Sequence, residues 1–193
     1  MQRVCVYCGS ADNLHPTYLD QARRLGKLLA AAGLELVYGA GSTGLMGAVA
    51  DGALEAGGVV TGVIPTMFNT PQLAHARLTR LEVVETIHLR KARMAEIADA
   101  FIALPGGYGT FEELFEILTW AQIGLHHKPV GLLNVRGYFD PLLALVARAE
   151  AEGFIYAEHQ RLFVAETDPA ALLAALRDFD PPQGLARWLD RAP

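Results

Sequence analysis

The chain has 193 residues, with 16 Lys+Arg against 21 Asp+Glu and a formal charge of −5. That length suits one domain, 52% apolar residues exclude an intrinsically disordered chain, and the acidic balance argues against a general nucleic-acid binder. The uncharged stretch 56–76 is interrupted by Pro65, Asn69, Pro71 and Gln72, and with no run of 18 apolar residues and no signal-peptide h-region the expectation is a cytoplasmic protein with no membrane partner.

Residues 3–8 (RVCVYC) read as a strand. Cys5 and Cys8 form a C-x-x-C, but residues three apart on a strand point to opposite faces and no second pair completes a zinc site. Two buried thiols are expected. Residues 16–32 read as a helix ended at Gly33, and 35–38 as a second strand. A Gly-rich turn, GAGSTG, leads into a helix over 45–56. Residues 59–64 and 81–84 are further strands, and 87–98 a helix carrying Arg90, Lys91 and Arg93. A buried strand at 100–104 runs into PGGYGT and a helix expected from Thr110 to Gln122. Then come a strand at 129–133, a helix at 139–152, a short strand at 162–165, and a last helix with Asp168 as N-cap and Pro169 at its first position. Residues 1–180 are read as one nucleotide-binding domain and 181–193 as a loosely attached tail.

Nearly all-apolar strands alternating with helices predict an α/β, doubly wound, mostly parallel sheet with helices on both faces. Ligands in such folds bind beyond the carboxyl ends of the strands. Three loops fall there: Gly9-Ser10, residues 39–44 and residues 105–110. The apolar surplus exceeds what one small interior needs, which points to a subunit interface, with helices 87–98 and 110–122 as candidates.

The segment LPGGYGTFEE, residues 104–113, has the outline of a phosphate cradle. Its glycines let backbone amides approach an anion, and the helix start supplies free N–H groups. It is neither a Walker A loop nor GxGxxG. Two roles are open for Glu113: chemistry, or a capping box in which it reaches back to a Thr110 N-cap. The 39–44 turn either shapes the pocket or only packs tightly. Five of the 16 basic residues, Arg77, Arg80, Arg90, Lys91 and Arg93, fall within 17 positions. They read either as one edge of an anion cleft or as a solvated face paired with Glu82, Glu85 or Glu96. No metal-binding His spacing exists and no metal or other cofactor is expected.

These motifs together resemble the LOG family of cytokinin riboside monophosphate phosphoribohydrolases, long mislabelled as lysine decarboxylases. PGGxGTxxE is complete from Pro105 to Glu113, and HxRKxxM is present as His88, Arg90, Lys91 and Met94. CGS (8–10), YGxGxxGLMG (38–47) and the TWAQ…KPVGLLN stretch (119–134) also look like the family. The resemblance implies hydrolysis of the N-glycosidic bond of a purine riboside 5′-monophosphate, giving free base and ribose 5-phosphate. It implies Arg90 and Glu113 as catalytic. As substrate-binding residues it implies Ser10, Gly41, Gln72, Lys91, Met94, Gly106, Gly107, Tyr108, Gly109, Thr110, Glu112 and Thr119. It also implies a homodimer with the site near the subunit boundary. Gln72 stands where the family usually has Glu, and Ala40 where many members have Gly.

The cleavage passes through an oxocarbenium-like state. A carboxylate near a helix N-terminus should stay ionised, so Glu113 is expected in an anionic role rather than as the acid, and no acid for the leaving base is identified. Two alternatives stand beside this reading: a general AMP nucleosidase of salvage, and a non-catalytic module for a nucleotide or the molybdenum cofactor.

Overall fold

Strands apolar on both faces require cover on both, and the chain supplies it. The computed structural model describes residues 1–185. Its elements are β1 (Arg3–Tyr7), α1 (Pro16–Ala31), β2 (Glu35–Tyr38), α2 (Gly44–Glu55), β3 (Val60–Pro65), β4 (Arg80–Val84), α3 (Ile87–Ile97), β5 (Ala100–Ala103), α4 (Tyr108–Gln122), β6 (Val130–Leu133), α5 (Asp140–Ala151), β7 (Val164–Glu166) and α6 (Pro169–Arg177), with short 3-10 turns at Thr66–Phe68, Val135–Gly137 and Ala157–Leu162. The seven strands form one sheet in the order β4-β3-β2-β1-β5-β6-β7, every pair parallel. The order reverses at β1, where the chain leaves one half of the sheet for the other. That is the switch point at which such sheets open a crevice.

Alternate strand residues face two separate cores. Val4, Val6, Leu36, Tyr38 and Ile102 pack with α1, α2 and α6. Cys5, Tyr7, Val37, Phe101 and Leu132 pack with α3, α4 and the start of α5. Cys8 belongs to the first core and Cys5 to the second, and both are free, buried thiols. Burial pushes both thiols up, far from the reactive range, so the C-x-x-C is structural. Helices α1 and α2 touch backbone to backbone: a Cβ on Gly26 would lie 2.1 Å from the Val49 carbonyl, and one on Gly52 2.1 Å from that of Arg23.

Three expectations change. Helix α4 begins at Tyr108 with Gly107 as its N-cap and no side-chain cap. Thr110 therefore sits inside the first turn, and the Thr110–Glu113 capping box is not formed. The last strand is Val164–Glu166, because residues 157–162 wind into a 3-10 turn. Strand β4 is the exception to two-sided burial: it is a sheet edge, with Leu81 and Val83 exposed. Leu185, within the expected tail, is buried against Ala121 and Leu162; residues 186–193 lie outside the described residues. No described helix is long and apolar enough to cross a membrane.

Candidate active site

A cavity of about 490 Å³ opens at the carboxyl ends of β1, β2 and β5, within the range of small-molecule sites. Its floor is the end of β1 with Gly9 and Ser10. One side is Gly39, Leu45 and Met46 from the β2–α2 turn. Another is Pro105, Gly106, Gly107, Gly109 and Thr110. Arg90, Met94 and Glu113 reach in from α3 and α4, and Leu14, Tyr18 and Tyr138 close the rest.

The loops interlock. The Gly9 amide donates to Pro105 O at 3.0 Å, and the Leu45 amide donates to Gly9 O at 2.9 Å. The Thr43 hydroxyl donates to Ser10 O at 2.7 Å. Gly106 must be glycine, since a Cβ there would lie 2.1 Å from Thr110 Oγ1 and 2.8 Å from the Gly9 nitrogen. Among the described residues, the amides of Gly107, Tyr108, Gly109 and Thr110 donate to nothing, as a helix start dictates.

Arg90 Nη2 donates to Glu113 Oε1, with the two side chains only 13% and 10% exposed. The Arg90 Nε–H is buried with no partner among the described residues. Burial raises the Glu113 carboxyl to about 7; the Arg90 guanidinium pulls it down and neighbouring Glu112 pushes it up. This corrects the expectation of a firmly ionised carboxylate. The helix-start field acts on a group that has lost most of its water, and desolvation outweighs it.

Of the residues put forward from sequence, Arg90, Glu113, Ser10, Met94, Gly106, Gly107, Gly109 and Thr110 line the cavity. Six do not line it. Lys91 is buried on the far side of Arg90, where its Nζ donates to Glu112 and, at 3.0 Å, to Glu116. Tyr108, Glu112 and Thr119 lie exposed along one outer stripe of α4; the Thr119 hydroxyl donates to Phe115 O at 2.7 Å. Gly41 lies behind Met46. Gln72 is exposed, on a segment pinned over the 39–44 turn by Ser42 N–H donating to Leu73 O and His75 N–H donating to Ala40 O. Ala40 itself holds a left-handed φ of 62°, the conformation that favours Gly.

The basic run is not an anion cleft. Arg77 pairs with Asp51, Arg80 with Glu35, and Arg93 with Glu82 and Glu96; Arg90 and Lys91 have the partners given above. Besides the Arg90 Nε–H, the cavity's free donors among the described residues include the helix-start amides. Sequence reasoning missed Tyr18 and Tyr138, whose rings meet edge to face at 6.3 Å; neither lies in a chemically marked motif.

A family model described as "Possible lysine decarboxylase" matches residues 46–176. The chain is 49% identical over 180 residues to the probable cytokinin riboside 5′-monophosphate phosphoribohydrolase LOGL9 of Oryza sativa subsp. japonica, covering 93% of this chain and 79% of the relative. It is 46% identical over 194 residues to the cytokinin riboside 5′-monophosphate phosphoribohydrolase LOG of the same plant, covering 100% of this chain and 80% of the relative. Among solved structures, the molybdenum cofactor carrier protein MCP from Chlamydomonas reinhardtii superposes with a TM-score of 0.71 at 25% identity, covering 92% of this chain and 97% of that one.

Proposed function

The chain belongs to the LOG family of cytokinin riboside 5′-monophosphate phosphoribohydrolases, and from that premise we propose which of its residues carry the reaction. It is a hydrolase of the N-glycosidic bond of adenosine 5′-monophosphates of the isopentenyl type, releasing the free base and ribose 5-phosphate. The carrier-protein alternative rests on a likeness of fold at 25% identity, against 46–49% identity to the phosphoribohydrolases over nearly the whole chain.

The carrying observation is one cavity lined by Gly107, Gly109 and Thr110, whose amides are free at a helix start, and, beside them, a buried Arg90–Glu113 pair. The phosphate sits on the amides of residues 107–110, where oriented N–H dipoles favour an anion. Glu113 stands at the ribose. Its ionised form stabilises the positive charge that develops there. With a pKa near neutrality it also exchanges a proton readily, which offers a source for the proton that the leaving base requires. Arg90 holds the Glu113 carboxylate, and its unpartnered Nε–H remains for a ribose hydroxyl. The base lies against the apolar wall of Leu14, Tyr18, Met46 and Met94.

A second copy of the chain completes the site. Tyr108, Glu112, Phe115 and Thr119 share one exposed stripe of α4, at the i, i+4, i+7, i+11 spacing of a helix face, and Leu89 on α3 is also exposed. Three of the six implied binding residues that miss the cavity within one chain, Tyr108, Glu112 and Thr119, are on this stripe. The deciding experiment is base release from AMP, GMP and isopentenyl-AMP, followed chromatographically. Binding without release of any base would leave only the carrier reading.

A further inference from the structure

Three consecutive carbonyls at the turn between β5 and α4 are each occupied. Pro105 O accepts from the Gly9 amide, Gly107 O accepts from the Phe111 amide at 3.0 Å, and Gly106 O accepts from the hydroxyl of Tyr138. The first two bonds come from the backbone of neighbouring elements. The third comes from a side chain 32 residues further along, on the loop after β6.

The Gly106–Gly107 peptide most needs such a restraint. Both of its residues lack a Cβ, so little steric barrier prevents the plane from turning over. A trans peptide carries its C=O and its N–H on opposite sides. Turning this plane would replace the Gly107 N–H with the Gly106 carbonyl oxygen, a donor with an acceptor, at the mouth of the helix. An anion there would be repelled.

The loop that carries Tyr138 is held rigidly at a cost. Arg136 and Gly137 are both left-handed, at φ 55° and 71°, and for Arg136, which carries a Cβ, that conformation is unfavourable. The Asn134 side chain closes the loop, its amide donating to Asp140 Oδ1 at 2.7 Å and its carbonyl accepting from the Phe139 amide at 2.7 Å. A Cβ on Gly137 would lie 2.5 Å from Asp140 Oδ2 and displace the carboxylate that Asn134 holds. The Tyr138 ring stacks on Phe111 at 6.4 Å, which ties it to α4. Strain of this kind persists where the surroundings over-determine it, and it gathers at functional sites.

We infer that Tyr138 is a positioning residue for phosphate recognition: its hydroxyl locks the Gly106–Gly107 peptide so that the Gly107 N–H faces the anion. This rests on the reading that the substrate phosphate occupies the start of α4.

The test is Tyr138→Phe, which keeps the ring and removes the hydroxyl. The readout is the ratio of kcat/KM for AMP to kcat/KM for adenosine, which lacks the phosphate. Binding of ribose 5-phosphate and of adenine is measured beside it by calorimetry. The ratio should fall about tenfold or more, the range expected for a hydrogen bond to a charged group. Ribose 5-phosphate should weaken in step, while adenine binding and the melting temperature stay close to wild type. An unchanged ratio overturns the inference. So does equal weakening of adenine and ribose 5-phosphate, which would make Tyr138 a wall for the base. If the wild-type protein itself binds adenine but not ribose 5-phosphate, the underlying placement of the phosphate is wrong and the inference falls with it. A lowered melting temperature with an unchanged ratio would assign the hydroxyl to stability alone.

Discussion

Replacing Glu113 with Gln separates two forces that act on one carboxyl in opposite directions. Burial favours the protonated form, and the Arg90 guanidinium favours the ionised one. The balance leaves the native pKa at about 7, against an ordinary value of 4.5. In the unfolded chain the group releases its proton near 4.5, while the native protein retains it to about 7. Over that window the native state binds more protons, so stability falls as pH rises. The difference is worth about 3 kcal/mol at 1.36 kcal/mol for each pKa unit. The Arg90 attraction is already contained in the native value. Urea denaturation of wild type and Glu113→Gln, at a series of pH values from 4 to 8.5, reads the effect directly. The stability of the wild type relative to the variant should decline by about 3 kcal/mol from pH 4.5 to pH 8. A constant difference would mean that burial and the Arg90 charge cancel and leave the carboxyl at its ordinary value. A difference that rises with pH would mean that Arg90 prevails and holds Glu113 ionised. The same variant should abolish turnover, and the wild-type kcat/KM profile should show a limb near pH 7.

Five other substitutions have defined outcomes. Gly106→Ala should cost about 3 kcal/mol by overpacking and remove activity, because its Cβ meets Thr110 and Gly9, whereas Gly109→Ala, with open space around it, should unfold at the same urea concentration or up to about 1 kcal/mol later. Arg90→Ala should lower kcat/KM at least ~100-fold, the range seen on losing a preorganised donor. Lys91→Ala should keep turnover within about tenfold but lose about 1–3 kcal/mol of stability, since Lys91 joins α3 to α4 through Glu112 and Glu116; equal kinetic losses would contradict the separation of the two side chains. Phe115→Glu should shift the mass seen in light scattering from dimer to monomer and reduce turnover together, and an active monomer would refute completion of the site by a second copy.

The parts legible in the sequence are those whose physics is local. Strand β5 announces itself as Ala-Phe-Ile-Ala between Asp99 and the turn that opens at Leu104-Pro105, and all four residues are buried. Asp168-Pro169 marks the start of α6, and the Asp168 carboxylate does accept from the amides of Ala170 and Ala171. Sequence alone puts the start of α4 two residues late, because Thr110 is a good N-cap in isolation. In the fold, Gly107 takes that position, and the Thr110 side chain is packed against Gly106 instead. Helical spacing separates Arg90 from Lys91 by about 100°, but only the position of α4 decides that Arg90 meets the cavity and Lys91 the back of the helix. Tyr138 could not be found at all, because its bond to Gly106 spans 32 residues and rests on two left-handed residues that no local pattern requires.

The basic run shows why charge counted along a chain is a poor guide to where an anion sits. Each of its five cations is neutralised by a carboxylate, most from elsewhere in the sheet or its helices: Asp51, Glu35, Glu82, Glu113 and Glu112. Most of these pairs are partly exposed and individually worth little. Their effect here is that none of these five cations is left without a carboxylate. The four amides at the start of α4 are fixed by the backbone and need no ordering when an anion arrives, whereas a flexible lysine would lose rotamer freedom on binding. A chain of net charge −5 can thus hold an anionic substrate without a basic patch, provided the carbonyls of the same turn are kept occupied. At Gly106 that condition is met by one hydroxyl group.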